Sequence, residues 1–192
     1  MRYFMSEAVV EFSYRNPKAH LKFLTATSSR DCLDTLLKGE ADLAWVTISD
    51  PVDGVEQVPV LELPWVLAMR AGEIYSDRTW VEVRELSGLS LVRLPEGSTS
   101  GAKLAAALEN VSLAEDAGVA DWDTALLLVE LGAGHAVVPR VPGPPPGDSV
   151  LRLVPVRGCP PLRVGWAYRS GSALPPLTRA FAETVARNAR LR

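Results

Sequence analysis

The chain has 192 residues, 47% of them hydrophobic, which suffices for one good core or two small ones side by side and is too short for a string of domains. Its formal net charge of −3 gives no field that would draw it to nucleic acid, so this chain by itself is not expected to hold DNA. Cys32 and Cys159, the two cysteines, stand far apart without a Cys-x-x-Cys or Cys/His cluster, which argues against a disulfide framework and a zinc site and suits a reducing cytoplasm.

The opening residues Met1 to Phe12 carry Glu7 where a signal peptide needs an unbroken apolar region, and no later run reaches the ~20 apolar residues of a membrane helix. A cytoplasmic protein without membrane contact is the expectation. Tyr3 to Arg15 places Phe4, Ala8 and Phe12, with Val9 and Val10, on one helical face before Asn16-Pro17 ends the helix. Leu21 to Ala26 alternates loosely as a strand, and the hydroxyls of Thr27, Ser28 and Ser29 then cap a helix that runs to Lys38, with Asp31 in its first turn.

Leu36 to Thr47 predicts a helix end, a glycine stop at Gly39 and a buried strand over Leu43 to Val46. Val58 to Met69 is a long extended run that Pro59 and Pro64 keep out of a helix interior, a candidate crossover between two lobes. Glu73 to Leu86 is polar and loop-like, Leu89 to Leu94 a strand, and Pro95 to Gly101 repeats the polar cap ahead of a helix over Ala102 to Glu109. Val119-Ala120 is a short strand, and Asp121 or Asp123 caps a helix from Thr124 to Leu131. Gly132 and Gly134 stop that helix, and a second buried strand, Ala136 to Val138, ends at Pro139. Val141 to Asp148 is a proline-rich surface loop. Val150 to Val156 and Leu162 to Tyr168 are strands that carry the chain back, and a last helix from Pro175 to about Leu191 sets Leu177, Phe181 and Val185 on one face.

This order resembles the effector-binding domain of LysR-type transcriptional regulators. The resemblance is carried by F-x-x-x-N-P at Phe12 to Pro17, L-x-x-G-E-A-D-L-A at Leu36 to Ala44, V-P-V-L at Val58 to Leu61, and L-V-E-L-G-A-G-H-A-V-V-P at Leu128 to Pro139. It implies an α/β fold of the periplasmic-binding-protein type 2 kind, two Rossmann-like lobes joined by two crossover strands. Lobe I would be residues 1–65 with 163–192, and lobe II residues 66–162. In the family a DNA-binding winged helix-turn-helix, a linker helix and the first strand of lobe I precede the opening helix. None of these is seen here, so the first strand of lobe I is expected to be missing.

The resemblance further implies a bacterial regulator that binds a small organic effector between its lobes, assembles as a homodimer or homotetramer, and meets DNA only through a domain absent from this chain. Helix N-termini with free N–H groups and nearby hydroxyls suit a carboxylate. The candidate contacts are therefore Thr27, Ser28 and Ser29, with Thr47 just past a strand end, and Pro95, Gly97, Ser98 and Thr99. Ser29 matches the family's hydroxyl position best by its spacing from Asp42. As capping residues, Thr27 to Ser29 equally need no ligand.

Asp121 and Trp122 complete the candidate set, the aspartates at 121 and 123 also reading as plain helix caps and Trp122 as packing. An aspartate wall would favour a polar or zwitterionic acid over a dianion, and Ser29→Ala is expected to weaken binding while sparing stability. For catalysis the sequence offers no nucleophile, metal set or cofactor motif around His20 or His135, and Gly132-Ala133-Gly134 follows a helix rather than opening one. No cofactor, metal or catalytic residue is expected. A stand-alone solute-binding protein of the same fold and an enzyme on that fold remain as alternatives.

Overall fold

The structure is a computed structural model that describes residues 2–26, 28–93, 98–112, 118–119, 121–142, 150–171 and 173–190. The chain divides into two units, one made of residues 1–62, 141–143 and 163–192 and the other of 63–140 and 144–162.

Unit 1 begins with α1 (Arg2–Arg15), which ends at Asn16: its backbone N–H and its side-chain amide both donate to the Phe12 carbonyl, at 2.9 and 3.1 Å. Pro17 then blocks continuation. Ala8 and Phe12 are buried against α5 (Pro176–Arg190), where Phe12 meets Phe181 edge-on at 5.2 Å and Val185 and Ala189 complete the cluster. Full burial of an aromatic side chain such as Phe12 is worth roughly 1.5–3 kcal/mol. Glu11 ties the same two helices at the surface through Arg187 and Asn188, both at 2.8 Å.

The glycine logic read from the sequence appears twice. After α2 (Ser29–Leu37), Gly39 sits at φ +76 and donates to Leu36, while Glu40 donates to Thr35. After α4 (Trp122–Glu130), Gly132 sits at φ +83 and donates to Val129, while Ala133 donates to Leu128. Both are Schellman endings, in which a left-handed residue folds the chain back onto the last carbonyls. The Arg169 guanidinium reinforces the first by donating to the carbonyls of Leu36 and Ala41.

Unit 1 carries a sheet in the order β1 (Ala44–Thr47), β7 (Leu162–Arg169), β2 (Val55–Leu63), with β1 antiparallel to β7 from Ala44 opposite Ala167 to Thr47 opposite Val164. Leu33, Leu36, Ala44, Val46 and Ala167 form the core between α2 and this sheet.

Unit 2 is built on β3 (Trp65–Arg70), whose residues from Trp65 to Met69 are all buried. A strand covered on both faces loses its alternation and becomes a continuous apolar run, as WVLAM shows. It lies between β5 (Ala136–Pro139) and β6 (Leu151–Arg157), antiparallel to both, and a two-residue β4 (Val81–Glu82) adds to β6 in parallel. Pro64 separates β2 from β3, so the long extended run is two strands. α4 covers this sheet with Ala125 and Val129, against Val66, Ala68, Ala136 and Val138. α3 (Thr99–Ala107) buries Leu104.

Several expectations are corrected. Leu21 to Ala26 joins no sheet among the described residues, and Phe23 and Leu24 are 62% and 47% exposed. Its alternation is real, yet a strand exists only if a neighbour offers a ladder, and none does among the described residues. Where a strand was expected over Leu89 to Leu94, the described residues form isolated bridges, among them the parallel ones of Leu91 with His135 and Arg93 with Gly118. Within the loop-like stretch ending at Leu86, Val81 to Leu86 forms β4 and a short 3-10 turn. The helix expected from Ala102 starts earlier, at Thr99, because Ser98 caps it. The proline-rich loop lies mostly outside the described residues.

Candidate functional site

In unit 1 the expected hydroxyl cluster divides its work. Ser28, not Ser29, is the N-cap of α2: its Oγ accepts from the Asp31 N–H at 3.1 Å and donates to the Asp31 carboxylate at 2.9 Å. Asp31 thus already supplies the negative charge that a helix N-terminus favours. Ser29 turns the other way, and its Oγ accepts the backbone N–H of Thr47 at 3.0 Å. That bond joins the first turn of α2 to the last residue of β1, where Thr47 is buried. Ser28, Ser29 and Thr47 are therefore brought together, with one hydroxyl committed to the cap and the other to the strand end. A serine hydroxyl that accepts one bond keeps its own O–H to donate. Thr27 lies outside the described residues.

In unit 2 the expected residues sit at two helix N-termini. Ser98 caps α3 by accepting from the Gly101 N–H at 3.0 Å, and Thr99 opens that helix. Asp121 caps α4 with both oxygens, one accepting from the Thr124 N–H at 2.8 Å and one from its hydroxyl at 3.0 Å. These bonds, the backbone one first, hold the Asp121 carboxyl below the usual carboxylate range. Trp122 is half-buried, edge-on to Trp65 at 5.8 Å and packed on the sheet core. Pro95 and Gly97 lie outside the described residues. The packing of Trp122 and the capping of Asp121 both have structural causes that need no ligand.

Two features were not legible in the sequence. His135, read as lacking any carboxylate at a recognisable spacing, has its Nε2 at 2.9 Å from Glu73 Oε2. The two groups are close but not aligned as a hydrogen bond, so the buried ring nitrogens remain without a hydrogen-bond partner among the described residues. Close approach of charge survives poor angles while a hydrogen bond does not, so the contact is an ion pair when His135 is protonated. Glu73 arrives from the turn after β3, a tertiary contact that no local pattern announces.

The other feature is a cavity of about 570 Å³ in unit 1, lined from β2, β7 and α5, to which none of the expected residues contributes. The thiols of Cys32 and Cys159 lie in different units, and burial pushes both upward, away from a reactive thiolate. Among the described residues no group of three or more His, Cys, Asp or Glu could hold a metal, and no helix is long and apolar enough to cross a membrane.

Comparison with known proteins places this architecture. The chain is 25% identical over 187 residues to the uncharacterized HTH-type transcriptional regulator YbhD of Escherichia coli K12, covering 93% of this chain and 57% of the relative. It is 28% identical over 159 residues to the HTH-type transcriptional regulator CysB of Burkholderia cenocepacia, covering 81% and 50%. The chain thus spans about half the length of the curated relatives it matches. Among solved structures, the effector binding domain of QuiR in complex with shikimate superposes with a TM-score of 0.82 at 12% identity, over 100% of this chain and 92% of that one. At that identity the likeness shows the fold, the two-lobed α/β fold of such domains. The model of the LysR substrate binding domain matches residues 1–190, and the chain accordingly belongs to that family, the effector-binding domains of LysR-type transcriptional regulators.

Proposed function

We propose that this domain senses a small, carboxylate-bearing organic effector, and that the N-terminal end of α2 supplies its unit 1 contacts through Ser28 and Ser29 beside Thr47. The observation that carries this reading is the Ser29 bond to the Thr47 N–H, which holds a hydroxyl with a free proton at a strand terminus and a helix N-terminus together. Ser98 and Thr99, at the start of α3 in unit 2, are further candidate donors. That a solved domain of the same fold carries shikimate supports a small-molecule ligand. Asp31 and Asp121 set a limit on its charge, because each already places a carboxylate at its helix end. A singly charged or zwitterionic acid fits better than a dianion.

The Thr47 bond changes the expectation for Ser29→Ala. Removing the acceptor strips a buried N–H of its partner, so the variant should lose about 1–3 kcal/mol of stability as well as affinity. The test is a thermal-shift screen of small organic carboxylates, shikimate among them, on the wild type, Ser28→Ala and Ser29→Ala. An acid that raises the wild-type melting temperature should lose most of its shift in Ser29→Ala, measured from that variant's own lower baseline. A shift that survives Ser29→Ala undiminished places the effector elsewhere and refutes this assignment.

The whole regulator is read as a bacterial, cytoplasmic homodimer or homotetramer that contacts DNA through a segment outside this chain. α1 supports the assembly: Ala8 and Phe12 are taken up by α5, but Val10 and Tyr14 are 70% and 88% exposed. Sedimentation of the folded chain at tens of micromolar should show dimer, and Val10→Glu should shift it towards monomer. A purely monomeric wild type would refute assembly through this face.

A further inference from the structure

We propose that the cavity bounded by β2, β7 and α5 in unit 1 is a second ligand site, separate from the Ser29 end, and that it takes a zwitterion with an apolar body, an α-amino acid with a large hydrophobic side chain. Its volume of about 570 Å³ lies within the few hundred to a thousand Å³ of small-molecule sites. The lining divides into an apolar floor and a charged rim.

The floor is Leu43, Val58, Val60 and Trp166, the indole of Trp166 being fixed by its Nε1–H donating to the Ala182 carbonyl at 3.2 Å. Above it α5 presents Ala182 and Ala186, whose small side chains leave the space open, flanked by Arg179, Glu183 and Arg190. These positions recur at intervals of three and four, so they form one stripe of the helix. The opposite rim is Glu56 on β2, which accepts the Tyr168 hydroxyl from β7 at 2.9 Å. That bond, then burial and the Glu56 charge, push the Tyr168 phenol up, while the Arg179 charge acts on it in the other sense.

The charge pattern selects the ligand. The rim holds two guanidiniums and two carboxylates, and Arg179, Glu183 and Arg190 make no ion pair with another described residue. A simple anion would gain from the arginines and be opposed by the glutamates, and a simple cation the reverse. A molecule carrying both charges on one carbon is attracted by both, and its hydrophobic tail removes the exposed Val58 surface from water. Both strands that line the cavity run to a unit boundary, β2 ending at Leu63 and β7 starting at Leu162.

The experiment is a nitrogen-edited NMR titration of the full chain with L-phenylalanine, and separately with phenylacetate and phenethylamine, which each keep one of its charges. L-Phenylalanine should bind in about the millimolar range, as its atom count allows, and each half-molecule at least about tenfold more weakly. Arg179→Ala, at an exposed position, and Ala186→Leu, which narrows the cavity, should each weaken L-phenylalanine about fivefold or more, while Ser29→Ala leaves it unchanged. Phenylacetate binding as tightly as L-phenylalanine would overturn the zwitterion assignment. Absence of binding, or binding indifferent to both Arg179→Ala and Ala186→Leu, would overturn the site. Neither result bears on the Ser29 end, and loss through Ser29→Ala alone would return the ligand to that end.

Discussion

Gly165→Ala should be among the most damaging single substitutions in unit 1. A Cβ at Gly165 would sit 2.1 Å from the Val58 carbonyl oxygen, 2.8 Å from Pro59 Cα and 2.9 Å from the Val60 nitrogen, all of them backbone atoms that no side-chain rotation can move. β2 must therefore back away from β7 along the seam that holds the three-stranded sheet, and both lie against the Trp166 and Phe181 cluster. Overpacking a core typically costs 1–3 kcal/mol, and a clash with backbone falls at or above the top of that range. At about 3 kcal/mol a thermal melt should drop by roughly 6–12 °C. Gly118→Ala is the control: among the described residues nothing lies within 4 Å of its added Cβ, so its melt should stay within about 0.5 kcal/mol of the wild type. Equal melting of the two variants would mean that β2 does not press on β7 as described.

Trp65→Ala should do comparable damage in unit 2, by removing volume instead of adding it. Trp65 is 2% exposed, packs edge-on against Trp122, and donates its Nε1–H to the Pro160 carbonyl at 2.9 Å. Truncation opens a large cavity and leaves that carbonyl without its donor, which together cost about 3–5 kcal/mol. Against a total stability of ~5–15 kcal/mol, this can leave unit 2 partly unfolded at room temperature. Urea titration followed by circular dichroism should show an early transition for Trp65→Ala and a smaller displacement for Trp65→Phe, which keeps an aromatic ring against Trp122. A loss below about 1 kcal/mol in Trp65→Ala would show that the site collapses around the gap.

These two positions also show where sequence reading succeeds and stops. Gly39, Gly132 and Asp121 were readable because caps and glycine stops are local: the residues that need each other lie within six positions, and the chemistry of the helix end decides the residue type. The strand expected over Leu43 to Val46, found at Ala44–Thr47 with Trp45 half-buried, and the buried run at Ala136 to Val138 were readable because a strand covered on both faces shows as a continuous apolar run. Gly165 was invisible, since its requirement comes from Val58 to Val60, remote in the chain, and a glycine in an apolar run reads only as a weak strand residue. Ser29 was legible as a candidate, but its structural partner was not. Spacing pointed to a cap or a ligand, while the bond it makes is to Thr47 across a loop. The Glu73 and His135 pair and the cavity under α5 are tertiary arrangements without a local signature.

The segment from Leu21 to Ala26 has a consequence for how this domain behaves in concentrated solution. An apolar, β-prone stretch outside any sheet, with Phe23 and Leu24 open to solvent, is a template onto which a second extended chain can zip. Folded loops of mixed polarity do not aggregate this way, so colloidal instability in this protein should begin here rather than at its charged surfaces. The sequence carries a brake on that process. Lys22 interrupts the run, and Pro17 and Lys18 stand just ahead of it, the gatekeeper pattern that limits edge-to-edge growth of filaments.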